Sequence, residues 1–223
     1  MVFRHECKLE IRSSDLLTIR RRLQVVAQTD SHARDGKYSI RSLYFDTPFD
    51  DALKDKLNGV SRREKFRLRY YNGDPGVIHL EKKSKLGGLG NKVSADISAD
   101  EARAIIDGNT RWMRGCGRPL LEELEMKMTA QGLRPKTIVD YVREPFIYPP
   151  GNVRVTLDYD IRTGLRCTDF LDPDCVMIPV QENAIIMEVK WDEFLPAVIR
   201  DAIQLENRNI AAYSKYAACR MYD

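Results

Sequence analysis

The run Arg63-Glu64-Lys65-Phe66-Arg67-Leu68-Arg69-Tyr70-Tyr71 alternates residue by residue. A strand sends successive side chains to opposite faces, so Arg63, Lys65, Arg67 and Arg69 share one side and Phe66, Leu68 and Tyr70 the other. The turn chemistry of Asn72-Gly73-Asp74-Pro75-Gly76 reverses the chain into residues 77–85, where Glu81, Lys83 and Lys85 again share a side. This is an antiparallel hairpin with one apolar face and one charged face.

Outward from the hairpin the same period recurs. Residues 3–11 set Arg4, Glu6, Lys8 and Glu10 against Phe3, Cys7, Leu9 and Ile11; residues 153–159 and 184–191 set Arg154, Asp158, Glu188 and Lys190 against Val153, Val155, Leu157, Met187, Val189 and Trp191. Residues 38–45 and 137–143 also read as strands. Helical spacing of Leu16, Ile19, Leu23 and Val26 follows Ser13-Ser14-Asp15. Ser98 with Glu101 spells a capping box closed by Gly108, and a helix from Pro119 ends at Gly132. Residues 193–206 and those from 211 onward are further helical patterns. Asn58-Gly59 marks a short polar region, and Gly87-Gly88-Leu89-Gly90 a mobile connector. Strands in consecutive hairpins, with helices between groups, predict a largely antiparallel α+β fold or barrel rather than a doubly wound parallel sheet.

At 223 residues and 25.7 kDa, one domain over 1–223 is expected. A hydrophobic share of 43% and a charged share of 31% argue against disorder and membrane spanning. The net charge of +3 is too small for a non-specific nucleic-acid binder, and no stacking motif or nucleic-acid signature is present. Cys7, Cys116, Cys167, Cys175 and Cys219 are odd in number and lack metal-ligand spacing, so they read as reduced thiols. Without a secretory signal, the cytoplasm is the expected compartment.

Across the strand faces ten cations stand with six carboxylates. A solvent face carries more Thr, Ser and Gln, so the pattern predicts a polar interior in which cations converge on a polyanion. Phosphate chains fit, because Arg offers bidentate contacts and Lys a point charge. Glu6, Glu81, Asp158 and Glu188 are expected to orient those cations or to bind a hard divalent ion. His5, His32 and His79 need no catalytic role. Arg41 shares its strand face with Leu43 and Phe45 and reads as an edge residue.

Seven ordered blocks carry a resemblance: Arg4-His5-Glu6-x-Lys8, Ser42-Leu43-Tyr44-Phe45-Asp46-Thr47, Phe66-Arg67-Leu68-Arg69-Tyr70, Leu80-Glu81-x-Lys83, Arg154-x-Thr156-Leu157-Asp158, Glu188-Val189-Lys190 and Tyr213-Ser214-Lys215-Tyr216. Together they resemble the vacuolar transporter chaperone (VTC) domain of the CYTH or triphosphate tunnel metalloenzyme superfamily, from Arg4 to Tyr216. The resemblance implies an antiparallel tunnel barrel with flanking helices that moves the terminal phosphate of ATP onto growing polyphosphate, using manganese or magnesium. It implies that Lys8, Arg67, Arg69, Lys83, Arg154 and Lys190 grip phosphates in the catalytic centre and that Glu188 is the metal ligand. Arg143, Lys85, Lys92, Ser214, Lys215 and Glu6 are implied on the substrate side, with Lys85 or Lys92 closing over substrate from the glycine-rich connector.

The Glu-x-Glu-x-Lys opening of many CYTH hydrolases is here Glu6-Cys7-Lys8-Leu9-Glu10, which favours the VTC branch over the cyclase and thiamine-triphosphatase branches. The reaction expected is in-line phosphoryl transfer through positioning and electrostatics. Because a lumen cation supports no apolar core, replacing Arg67 or Arg69 is expected to leave the fold intact. Inorganic phosphate or pyrophosphate is a further expected ligand. With no membrane segment after the domain, attachment to the inner face of a membrane is expected only through a separate membrane protein. An inorganic triphosphatase or nucleotide phosphohydrolase on the same fold, and a non-catalytic polyphosphate-binding module, remain open alternatives.

Overall fold

The computed structural model describes residues 5–87, 89–180, 184–205 and 213–221. The elements are β1 (His5–Ile11), α1 (Ser13–Val26), β2 (Gln28–Thr29), β3 (Tyr38–Asp46), α2 (Asp51–Leu57), β4 (Arg63–Tyr71), β5 (Asp74–Leu86), β6 (Leu89–Ile97), α3 (Ala99–Ile106), α4 (Pro119–Gln131), β7 (Arg134–Tyr148), β8 (Val153–Thr163), β9 (Ile178–Pro179), β10 (Ile185–Trp191), α5 (Ala197–Ile203) and α6 (Lys215–Cys219). The strand pairings are antiparallel, so the α+β class with flanking helices is the observed one. The backbone packs into two compact units: unit 1 comprises Met1–Ser39, Tyr141–Ile161 and Pro179–Ser214, and unit 2 comprises Ile40–Asp140, Arg162–Ile178 and Lys215–Asp223.

In unit 1, β1 pairs with β10 and β10 with β8. Their apolar positions, Ile11, Val153, Val155, Leu157, Ile185, Met187 and Val189, form a buried cluster with Ile19 and Leu23 of α1 and Ile199 and Ala202 of α5. Covering that face with helices is what the alternation demanded, since the other face carries the charges. α1 begins one step earlier than the serines indicated: Arg12 is the cap, and its N–H donates to Asp15 Oδ2 at 2.9 Å. Glu144 fixes α1 to the sheet by accepting two 2.7 Å hydrogen bonds from Arg20 and one of 2.8 Å from Tyr159.

In unit 2, β3, β4, β5 and β6 pair in sequence order. Leu43, Phe45, Phe66, Leu68, Tyr70, Ile78 and Leu80 are buried with Ala102 and Ile105 of α3 and Leu120, Leu121 and Leu124 of α4. Phe66 is 1% exposed, so truncating it to alanine would cost about 3–5 kcal/mol. The capping box at Ser98 and the left-handed Gly132 after α4 form as expected.

Three local expectations are corrected. The β4–β5 turn is only Asn72-Gly73, both at positive φ, with Tyr71 already facing Asp74. The glycine-rich stretch reads as a connector in sequence, but its described residues from Leu89 onward are strand: β5 runs to Leu86 and pairs directly with β6 from Leu89. The short α2, which buries no residue, stands where only a polar region was read.

Candidate functional site

Each unit presents its own polar strand face. In unit 2 the register builds rows across β3 to β6. Ser42, Arg69, His79 and Asp96 form one; Tyr44, Arg67, Glu81 and Ser94 the next; Lys65, Lys83 and Lys92 a third; Arg63, Lys85 and Gly90 a fourth. Like charges directly opposite one another are destabilising, so a three-lysine row costs stability in the absence of an anion.

Glu81, 1% exposed, anchors the middle of this face. Arg67 Nε donates to its Oε2 at 2.6 Å, Arg69 Nη1 lies 3.9 Å away, and Lys92 pairs with its Oε1. Burial would raise the Glu81 carboxyl, but Arg67, Arg69 and Lys92 hold it well below the usual carboxylate range. Arg67 Nη1 also donates to Tyr44 Oη at 2.9 Å, and Arg69 Nε to Ser42 Oγ at 3.0 Å. Burial pushes the Tyr44 phenol up, yet Arg67, Arg69 and Lys65 bring it down to about 8. Tyr44 stacks on Tyr216, whose hydroxyl donates to Asp46 at 2.5 Å.

In unit 1 each row mixes a carboxylate with cations or a hydroxyl. Glu6 faces Lys190, which faces Arg154; Lys8 faces Glu188, which faces Thr156. Lys8 Nζ lies 2.7 Å from Glu6 and 3.7 Å from Glu188, and Lys190 Nζ lies 2.6 Å from Glu188. Arg143 grips the fully buried Asp158 with two hydrogen bonds of 2.6 and 2.7 Å. Arg154 donates to Asp30 at 3.0 Å and to Tyr38 at 2.8 Å. Burial would raise Glu188, but Lys8, Lys190 and Arg143 hold it far below its ordinary value. Lys8 shifts upward: burial opposes its charge, and Glu188 and Glu6 outweigh that cost. Among the described residues, Arg154 Nε and Thr156 Oγ1 are buried on this face without a hydrogen-bond partner.

Lys8, Glu6, Arg143, Arg154, Glu188 and Lys190 thus come together in unit 1, and Arg67, Arg69, Lys83, Lys85 and Lys92 in unit 2. Arg4 lies outside the described residues. Ser214 precedes α6 and Lys215 is its first residue, both half-buried. Arg41 is tied to Asp140 by hydrogen bonds of 2.9 to 3.1 Å and contributes to neither charged face. Arg67 and Arg69 neutralise a buried carboxylate, so replacing either is expected to cost stability. Tyr44, Ser42 and Thr156 were not singled out as site residues. Their period-two placement beside the charged rows was visible, but small or aromatic residues carry no charge signal.

Among the described residues, no three His, Cys, Asp or Glu side chains converge as a metal cage. Of the carboxylates that unit 1 buries, Asp158 is closed by Arg143, Asp30 by Arg154 and Glu144 by Arg20, which leaves Glu188 as the one fitting a hard cation held mainly by phosphate oxygens and water.

These features define an α+β protein whose antiparallel strands carry arginine and lysine rows suited to phosphate. The VTC domain model matches residues 3–222, and the chain belongs to the VTC domain family. Among solved structures, PH1012 from Pyrococcus horikoshii shares the fold, with a TM-score of 0.52 at 14% identity over 96% of this chain and 97% of that one. PH1819 from the same organism has a TM-score of 0.48 at 15% identity, covering 96% and 94% of the two chains. A candidate adenylate cyclase from Bacillus halodurans has a TM-score of 0.47 at 14% identity, covering 87% and 82%. No curated protein matches the sequence. No helix among the described residues is long and apolar enough to cross a membrane.

Proposed function

We propose that this VTC-domain chain is a polyphosphate polymerase, transferring the terminal phosphate of ATP to a growing polyphosphate chain. The observation that carries the reading is the lysine row of Lys65, Lys83 and Lys92, flanked by Arg63 and Lys85 on one side and Arg67 on the other. Such crowding is stabilised by a ligand with closely spaced negative charges, which a phosphate chain supplies.

In this reading the unit 2 cations hold phosphates of the nucleotide or the product. Arg67 and Arg69 are fixed for that task by Glu81, Tyr44 and Ser42. On the unit 1 face, Arg154 Nε has a hydrogen to give to a phosphate oxygen and Thr156 Oγ1 a hydroxyl. Lys8 and Lys190 are the lysines of that face, with Glu6 orienting Lys8 and Arg143 balancing Asp158. Glu188 would hold a divalent metal, manganese or magnesium, jointly with substrate phosphates; the metal would neutralise phosphate charge. A terminal oxygen of the polyphosphate acceptor, already ionised at neutral pH, forms a bond to the γ-phosphorus as the bond to the β-phosphate oxygen breaks, and ADP departs. No protein nucleophile is needed, so positioning and charge stabilisation supply the rate. Attachment to a membrane through a partner protein belongs to the same proposal.

The test is incubation of the purified chain with ATP and Mn²⁺, with products resolved on a gel stained for polyphosphate and orthophosphate assayed alongside. A ladder of long chains is expected. Orthophosphate alone would replace the reading with hydrolysis, and triphosphate binding without either product would replace it with a binding module.

A further inference from the structure

Residues 164–178 of unit 2 hold two cysteines that the proposed reaction does not use. Cys167 Sγ and Cys175 Sγ lie 3.0 Å apart, and both residues are half-buried. They line a cavity of about 400 Å³ together with Gly164, Leu165, Asp169 and Val176, which gives a small solute access to the sulfurs. The bracketed segment is firmly held. Phe170 is fully buried against Tyr70, whose hydroxyl donates to the Phe170 carbonyl at 3.1 Å, and Arg41 donates to the Asp172 carbonyl at 2.6 Å. The two thiols are therefore kept together by packing rather than meeting by chance.

We propose that Cys167 and Cys175 are a reversible redox-modification site that forms an intramolecular disulfide on exposure to a hydroperoxide. The Cys167 thiolate attacks a peroxide oxygen, the O–O bond breaks, and Cys167 becomes a sulfenic acid with release of water or an alcohol. The Cys175 sulfur then attacks the Cys167 sulfur, and hydroxide leaves and takes up the Cys175 proton as water. Two thiols are oxidised by two electrons and one peroxide is reduced. Asp169 holds the attacking sulfur from two sides: its N–H points to Cys167 Sγ at 3.4 Å, and the Cys167 thiol points to its Oδ2 at 3.5 Å. Cys175 is the resolving partner: burial and the adjacent Cys167 push its thiol up to about 12, so the first attack is assigned to the other sulfur of the pair.

The experiment treats the reduced, full-length protein with hydrogen peroxide, blocks remaining thiols with iodoacetamide, and reads intact mass and peptide map. The five free thiols should fall to three, with one cross-linked pair joining Cys167 to Cys175 that dithiothreitol reverses. Cys167→Ser and Cys175→Ser should each abolish the cross-link, whereas Cys116→Ser should leave it. Retention of all five thiols, a cross-link elsewhere, or oxidation that stops at a sulfinic acid in the wild-type protein would overturn the proposal. Because the wild-type chain supplies the deciding result, poor folding of a variant does not obscure it. None of these outcomes depends on polymerase activity.

Discussion

The two polar faces use the same residue types to opposite ends. In unit 1 Glu6 faces Lys190 and Lys8 faces Glu188, Lys190 also faces Arg154, whose charge Asp30 meets, and Asp158 is closed by Arg143. In unit 2, three lysines share a row, and the buried carboxylate beside them is Glu81. Opposite charges across a strand pair contribute up to about 1 kcal/mol each, while like charges subtract a similar amount. Unit 1 is thus close to neutral on its own terms, and unit 2 is built with an excess that an anion relieves. Under the proposed function, the difference puts anion affinity chiefly on β4–β6 and the carboxylate suited to a cation on β10.

The largest effect expected from breaking this contrast is at Arg67. Arg67→Ala leaves Glu81 buried with part of its positive surround removed, a loss of about 3–5 kcal/mol of stability measurable by denaturant unfolding. Adding Glu81→Gln should recover much of it. If Arg67→Ala unfolds at the wild-type midpoint, the excess in unit 2 is not organised around Glu81.

A smaller effect follows from Tyr44. Its native phenol ionises at about 8 against an ordinary value of 10. The native state then releases the proton first, so stability rises as pH climbs from about 8 to 10, by at most about 2–3 kcal/mol. Phenolate absorbance should show a tyrosine titrating near pH 8, and Tyr44→Phe should remove that step along with the rise in stability. A step that persists in the variant assigns it to another tyrosine and weakens the cation excess around Tyr44.

The smallest effect belongs to unit 1. Glu188→Gln should cost about 1 kcal/mol, because Lys8 keeps Glu6 and both lysines are partly solvated. The native Glu188 carboxyl is held low, so its contribution is fully present above the ordinary glutamate range and disappears as pH falls through that range toward the native value. Wild type and variant should converge in acid. In the ATP reaction, the variant should need markedly more Mn²⁺ for half-maximal rate, and an unchanged metal titration would remove Glu188 as ligand.

Much of this was legible in the sequence, and the exceptions have physical causes. Alternation alone placed Arg67 and Arg69 opposite Phe66 and Leu68, because burial enforces a period of two. It could not place Glu81 beside Arg67. Continuing the ladder from the Asn72-Gly73 turn would set Arg67 opposite Ile78, and the irregularity between Arg69 and Tyr71 shifts the register to Glu81. The short α2 buries nothing and so leaves no apolar stripe to read. The pairing of Lys92 with Glu81, and hence its role in balancing that carboxylate, depends on the tight β5–β6 hairpin. Glycine composition alone read that segment as mobile.

The central claim is that β4–β6 supply the phosphate grip. It is tested most directly by calorimetric titration of tripolyphosphate into the wild-type chain, a Lys83→Ala/Lys85→Ala variant and Lys8→Ala at two salt concentrations. The account predicts that the double variant loses affinity about 10- to 100-fold with a shallower salt dependence, and that Lys8→Ala loses much less. Equal losses, or wild-type affinity in the double variant, would contradict it.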